Sequence, residues 1–496
     1  MMAYHQRKRE CAMSRKKMMT SDGMLPFTID AQPLKERLTA RAGLPLLVEM
    51  FRALGLSAVV QTEVHLKERN RGFTEVEMVE EFVVLLAAGG ECLDDFSVLA
   101  GDEGLDGLLD RKRPSPEAAR DFLYKFHDEK MEEKRPSGKK TWIPPETPPL
   151  IGLGKVNREM VRRFGERVPG QKIATLDQDA TIIESRKREA LSLYEGGRGY
   201  QPQILIWAET LLVLGDEFRD GNVPAGMAVL PLAKRAFASL PSTVIEFNYR
   251  ADSASYNHEL MNWLRDEDRH DGPKGPIRFA ISADMSEALQ KKVAALPESD
   301  WQPLHRPGEK AAPVEVNEER HWAEVEFIPS DGPTKKDVQP DRYLAIRIRD
   351  RQQDLLDSKT RVRHLAIVTN EWKWTGDKVI WWHRAKAGTV EMVHDILKNE
   401  VGAGVLPCGR YGANAAWFRL CVIAWNLMVA LKWIALPAEF LDARPKRLRF
   451  SIFTLAARVT TSGRQTLLRV ATAIAKLKVY IEVRCAIWSP APCAPT

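Results

Sequence analysis

Three acidic residues, Asp179, Asp252 and Glu391, carry the most chemistry in this 496-residue chain. Asp179 lies in Asp177-Gln178-Asp179-Ala180-Thr181, at the end of the apolar run Ile173-Ala174-Thr175-Leu176, and Asp252 follows Val244-Ile245-Glu246-Phe247 in the same way. A carboxylate at a strand end projects into the crevice where α/β sheets hold their ligands. Glu391 has Lys398 seven residues on, close to two helical turns, so a carboxylate and an ammonium share one helix face. Three such carboxylates are hard oxygen ligands, suited to two divalent ions about 3.5–4 Å apart and hence to phosphoryl transfer and nucleic-acid strand cleavage. Singly, each aspartate is also explained as a turn former, and Asp252 as the cap of a following helix. The order and spacing of the set give it weight.

Other constellations are weaker. His258-Glu259 begins like a zinc-protease helix but has Asn262 where the second histidine must stand. Gly196-Gly197-Arg198-Gly199 lacks a phosphate-loop lysine and serine and reads as a turn. The six cysteines are widely spaced without a C-x-x-C pair, which fits a reducing, cytoplasmic compartment and neither a zinc knuckle nor a disulfide framework.

The acids need elements to hold them. Residues 1–40 read as a disordered basic lead and 41–130 as a small helical domain. Within it, Thr74 and Glu77 form a capping box, Gly89-Gly90 closes that helix, and Ser115-Pro116 opens another. That last helix presents Arg120, Tyr124 and Lys125 outward, as a DNA-reading helix would. A proline-rich linker is expected over 131–152. Strand runs at 172–176, 204–208, 211–214, 243–247 and 277–281 alternate with helical patterns to give an α/β core over 153–296. A β-rich insertion follows at 297–375, then the rest of the core at 376–440 with the Glu391 helix, and a basic region at 441–496. The apolar run from Ala415 to Leu436 is broken by Arg419, Asn426 and Lys432 and reads as a buried helix, with no membrane partner.

Charge is uneven. The net charge is +6, yet the first twenty residues carry +5 and residues 443–478 carry nine basic side chains and no acid, leaving 21–442 at −8. Basic ends around an acidic middle suit a polyanion partner, and equally suit solvated helix faces.

At these residues the chain resembles the DDE insertion-sequence transposases, in the branch whose third acid lies in a Tyr-x2-Arg-x3-Glu-x6-Lys signature after a β-rich insertion. The likeness spans roughly residues 45 to 470 and is most specific at 176–181, 196–202, 219–222, 250–253, 368–370 and 391–426. It implies an α/β, RNase H-like catalytic core interrupted by the insertion and preceded by the helical DNA-binding domain. Asp179 fits the family's Asp-x-Thr form where Asp177 does not, and Asp252 and Glu391 follow as the other catalytic, metal-binding acids. The implied cofactor is Mg2+, two ions per site, with Mn2+ able to substitute. Implied partners are double-stranded DNA, both terminal inverted repeats and target, and a second subunit in a homodimer; the implied place is the bacterial cytoplasm, on the nucleoid. Lys398 matches the signature lysine, whereas Arg384 and Ala387 stand at the signature tyrosine and arginine, so that either Arg384 or Lys386 takes over phosphate contact or end binding is weakened. Arg120, Lys125, Arg447 and Arg449 complete the expected DNA contacts, and Trp322 is the expected platform for an extruded base, although tryptophan in a strand is more often core. The expected activity is metal-dependent cut-and-paste transposition by end cleavage and strand transfer. A decayed or domesticated DNA-binding protein without catalysis, and a nuclease that cuts without joining, are the alternatives.

Overall fold

The computed structural model describes residues 32, 34–67, 71–136, 140–306, 308, 318–329, 341–350, 362–463 and 465–489. Most of the expected lead, residues 1–31, lies outside these. Runs of alternating and continuous apolar residues form nine strands of one mixed sheet. They are β1 (Ile173–Ala180), β2 (Gln203–Trp207), β3 (Leu212–Glu217), β4 (Glu246–Ala251), β5 (Ile277–Ser282), β6 (Gln302–Pro303), β7 (Glu318–Val325), β8 (Arg342–Asp350) and β9 (Val362–Thr369). Their spatial order is β6-β7-β8-β9-β5-β4-β1-β2-β3. The first three are antiparallel neighbours, while β4 runs parallel to β1 and β5 parallel to β4.

The segment expected as an insertion does not stand apart. β9 pairs antiparallel with β5, setting Val368 opposite Ile281, so β6 to β9 prolong the central sheet and cover an edge that β5 would otherwise expose.

The helices used below are α1 (Pro45–Ala53), α2 (Leu56–Glu63), α3 (Glu75–Ala88), α4 (Pro116–Tyr124), α5 (Pro148–Arg167), α6 (Val229–Phe237), α7 (His258–Arg265), α8 (Gly376–Lys386), α9 (Met392–Glu400), α10 (Tyr411–Ile434) and α11 (Ile474–Trp488). The reciprocal Thr74–Glu77 capping box starts α3, and Gly89, at φ +98°, ends it in the left-handed conformation that glycine adopts without strain. Ser115 caps α4 with Pro116 at its first position. Pro148 likewise opens α5, so helix begins inside the expected linker.

Helix α10 is long and apolar enough to cross a membrane by length and composition, with mean hydropathy 1.4, and is wholly buried in the protein. Its polar groups are all engaged: Arg419 bonds Asp216, Glu146 and the Leu150 carbonyl, and Asn426 bonds the backbone of Val213 and the side chain of Asn157. Around it a continuous apolar core runs from Leu44 in the helical region to Ile487 near the other end of the described chain. The helical region therefore shares its core with the sheet. Residues Arg37–Thr39, expected within the disordered lead, form a strand on Ala457–Ser462, which pairs in turn with Gln465–Val470.

Candidate active site

Asp177 and Asp179 share a face of β1 because side chains alternate along a strand. Parallel register sets Asp177 beside Arg250 on β4, and the Arg250 guanidinium grips the buried Asp177 carboxylate through Nε at 2.7 Å and Nη2 at 2.8 Å. The third arm of Arg250 donates to the Trp382 carbonyl of α8 at 2.7 Å. Thr389 adds its hydroxyl to Asp177 and to the Lys386 carbonyl. Asp177, Arg250 and Thr389 thus each sit two residues before an expected catalytic acid, and Asp177 accepts from both of the others. They fasten β1, β4 and the segment that carries Glu391.

On this layer Asp179, half-buried, forms an ion pair with Lys386 Nζ at 3.2 Å. Asp252 continues the extended backbone of β4 and accepts from the Ala254 amide at 3.1 Å, so it caps a short turn as well as facing the site. Burial holds its carboxyl above the ordinary aspartate range; the Lys386 ammonium opposes that rise and the Asp179 charge adds to it. The two aspartates and Lys386 are one electrostatic unit. Beside them an open cleft of about 1100 Å³ is lined by Tyr194, Arg198, Asn222, Asp252, Tyr256 and Asp284 among others.

Helix α8 passes into α9 through a wide π turn, Ala387–Glu391, a form that recurs at functional sites. His383 pins α8 to the sheet by donating from Nε2 to the Ala251 carbonyl at 2.9 Å, one residue before Asp252. Glu391 ends the turn and is exposed to solvent. Among the described residues no group of three His, Cys, Asp or Glu side chains is arranged to hold a metal; the charges of Asp179 and Lys386 act on Asp252, whereas Glu391 is not among the groups that do. His394, one turn beyond Glu391, is buried with both ring nitrogens unbonded; burial takes its imidazole down to about 4, against the pull of Asp179 and with the push of Lys398 and Lys386.

The remaining expected residues fare differently. Lys398 is half-buried beside His394, and Arg384 stacks on Trp381 at 5.1 Å. Arg120, Lys125 and Arg447 are exposed, whereas Tyr124 lies under Arg410. Arg449 is occupied: its guanidinium donates to the carbonyls of Leu86, Ala87 and Glu400, satisfying the end of α3 instead of facing outward. Trp322 is also not a surface platform. It is buried in a small apolar cluster beneath α8, against Gly376, where an added Cβ would meet its ring at 2.2 Å. Sequence reasoning missed the Asp177–Arg250–Thr389 layer and His394. The signal for the layer was the identical offset of two residues from each acid.

The family model described as transposase DDE domain group 1 matches residues 28–488, and the chain is therefore a DDE-class transposase. Within that class it belongs to this group, whose members use divalent metal ions. Among solved structures, the chain is similar to a piggyBac transposase, determined by electron cryo-microscopy as a synaptic complex with hairpin DNA. The identity is 12%, the alignment covers 85% of this chain and 83% of that one, and the TM-score is 0.39. No curated protein matches the chain.

Proposed function

We propose that this transposase carries out metal-dependent cut-and-paste transposition of an insertion sequence, with Asp179, Asp252 and Glu391 as its catalytic acids. The observation that carries the reading is the Asp177–Arg250–Thr389 layer, which ties the three acid-bearing segments together directly behind the acids. The strand order β3-β2-β1-β4-β5, antiparallel and then parallel, supports an RNase H-like core.

The donor set fits hard divalent cations such as Mg2+ or Mn2+: two carboxylates share one site and already attract a cation, the Lys386 ammonium. Bound there, such ions would supply an activated water or 3′-hydroxyl and stabilise charge on the phosphoryl oxygens. Asp179 and Asp252 would hold them, and Glu391 would complete the set from the rim. Lys398, Arg384 and Lys386 would contact strand phosphates through their positive charge. Exposed Arg120, Lys125 and Arg447 would grip the terminal inverted repeats and target duplex, in a homodimer working in the cytoplasm.

A labelled duplex carrying the element's terminal inverted repeat and flanking DNA, incubated with and without Mg2+, tests this. Metal-dependent cleavage at the repeat edge, lost in Glu391→Gln, together with joined products, is the expected outcome. A second reading, a binder without catalysis, is favoured by Ala387 and Arg384 at the signature arginine and tyrosine positions. A shifted but uncut duplex would establish it, and cutting without joining would point to a nuclease.

A further inference from the structure

Lys386 ends α8 with its side chain almost fully enclosed, an unusual place for an ammonium. Its Nζ lies 3.2 Å from Asp179 Oδ2, and its charge reaches Asp252 as well. A buried cation persists only when paired, and two neighbouring carboxylates persist only when some positive charge offsets their repulsion. The lysine and the aspartate pair meet both needs at once.

We propose that Lys386 is a built-in counter-ion that occupies the place of a divalent cation in the metal-free site, so that metal must displace it to bind. The proposal rests on the reading of Asp179 and Asp252 as metal ligands. Its consequence is competitive: the lysine offsets the repulsion of the aspartate pair and weakens metal affinity until the ammonium turns away from Asp179.

The test is Mn2+ binding to the purified full chain without DNA, by isothermal titration calorimetry, for the natural protein, Lys386→Met, Lys386→Gln, Lys386→Arg and Asp179→Asn. Lys386→Met and Lys386→Gln are expected to bind Mn2+ about tenfold or more tightly, to melt lower than the natural protein without metal, and to show the larger rise in melting temperature when Mn2+ is added. Lys386→Arg keeps the charge and is expected to stay near the natural affinity. Should Lys386→Met not fold, Lys386→Gln, which retains polarity without charge, decides. Unchanged or weaker Mn2+ binding in the neutral variants, with binding still lost in Asp179→Asn, would overturn the counter-ion and leave the metal site standing. Absence of any Asp179-dependent Mn2+ binding in every variant would overturn both.

Discussion

Arg250 makes two hydrogen bonds to Asp177 and a third across to α8, all within the protein interior. Removing one partner of such a pair strands the other charge in a poorly solvated place, at a cost of about 3–5 kcal/mol, whereas replacing both by apolar groups is far milder. Arg250→Met is thus expected to lower unfolding stability by about that amount in urea titrations, and Arg250→Met with Asp177→Leu to recover much of it. Thr389→Val removes a hydroxyl bonded to the buried Asp177 carboxylate and should cost about 1.5–3 kcal/mol, the range for a hydrogen bond to a charged group. Under the proposed function Thr389 positions the acid-bearing segments, and that variant is then expected to slow end cleavage while leaving duplex affinity unchanged; equal losses in both would make its role merely structural. At this scale the places of Asp179 and Asp252 at strand ends and of Glu391 at the start of a helix were legible, since these are local signals. The Asp177–Arg250 pair was illegible, because it depends on the register of two strands 73 residues apart in the chain. Arg449 misled for the same reason: charge composition does not tell a solvated arginine from one spent on the carbonyls of a distant helix.

Helix α8 carries Lys386 into the site, and besides the Arg250 bond to the Trp382 carbonyl two further buried contacts hold it. Trp322 beneath Gly376 is one, and Trp322→Ala is expected to cost about 3–5 kcal/mol in stability. Its cleavage rate per folded molecule should match the natural protein; loss of activity without loss of stability would restore the stacking role that the strand position suggested. The other contact is His383. Burial pushes its imidazole down to about 4, as it does for His394, so both stay neutral in the folded protein while the unfolded chain protonates them near 6.5. Their contribution is therefore complete above about pH 6.5 and lost as the pH falls towards 4, on the order of 3 kcal/mol each at the acid end. His383→Gln keeps a donor for the Ala251 carbonyl and should flatten this part of the stability profile, as thermal unfolding between pH 7 and pH 4 would show. The helices and strands were largely readable from apolar period and caps. The π turn between α8 and α9 was not, because no residue type marks one extra residue per turn.

Across the whole molecule, the lesson is that pieces which looked separable in sequence are joined. The proline-rich stretch, the strand-rich segment and the basic end all had the composition of linkers, insertions or tails. Their apolar residues nevertheless complete surfaces elsewhere: Val483 and Ile487 of α11 enter the main core, Tyr480 donates to the Ala42 carbonyl at 2.8 Å, and Arg484 pairs with Glu49 of α1. Deleting residues 471–496 is accordingly expected to lower the melting temperature of the entire chain in a single transition. An unchanged transition would mean that α11 folds as an appendage.

The position of α10 has a temporal meaning. Helices α1, α3 and α5 and strand β3 all pack against it, yet about 390 residues separate the start of α1 from its end. At roughly 5–20 residues per second of synthesis, α1 waits about 20–80 s for the partner that buries its apolar face. A ribosome that stops before residue 434 releases a chain with no centre, so an intact message is itself a condition for obtaining a folded molecule.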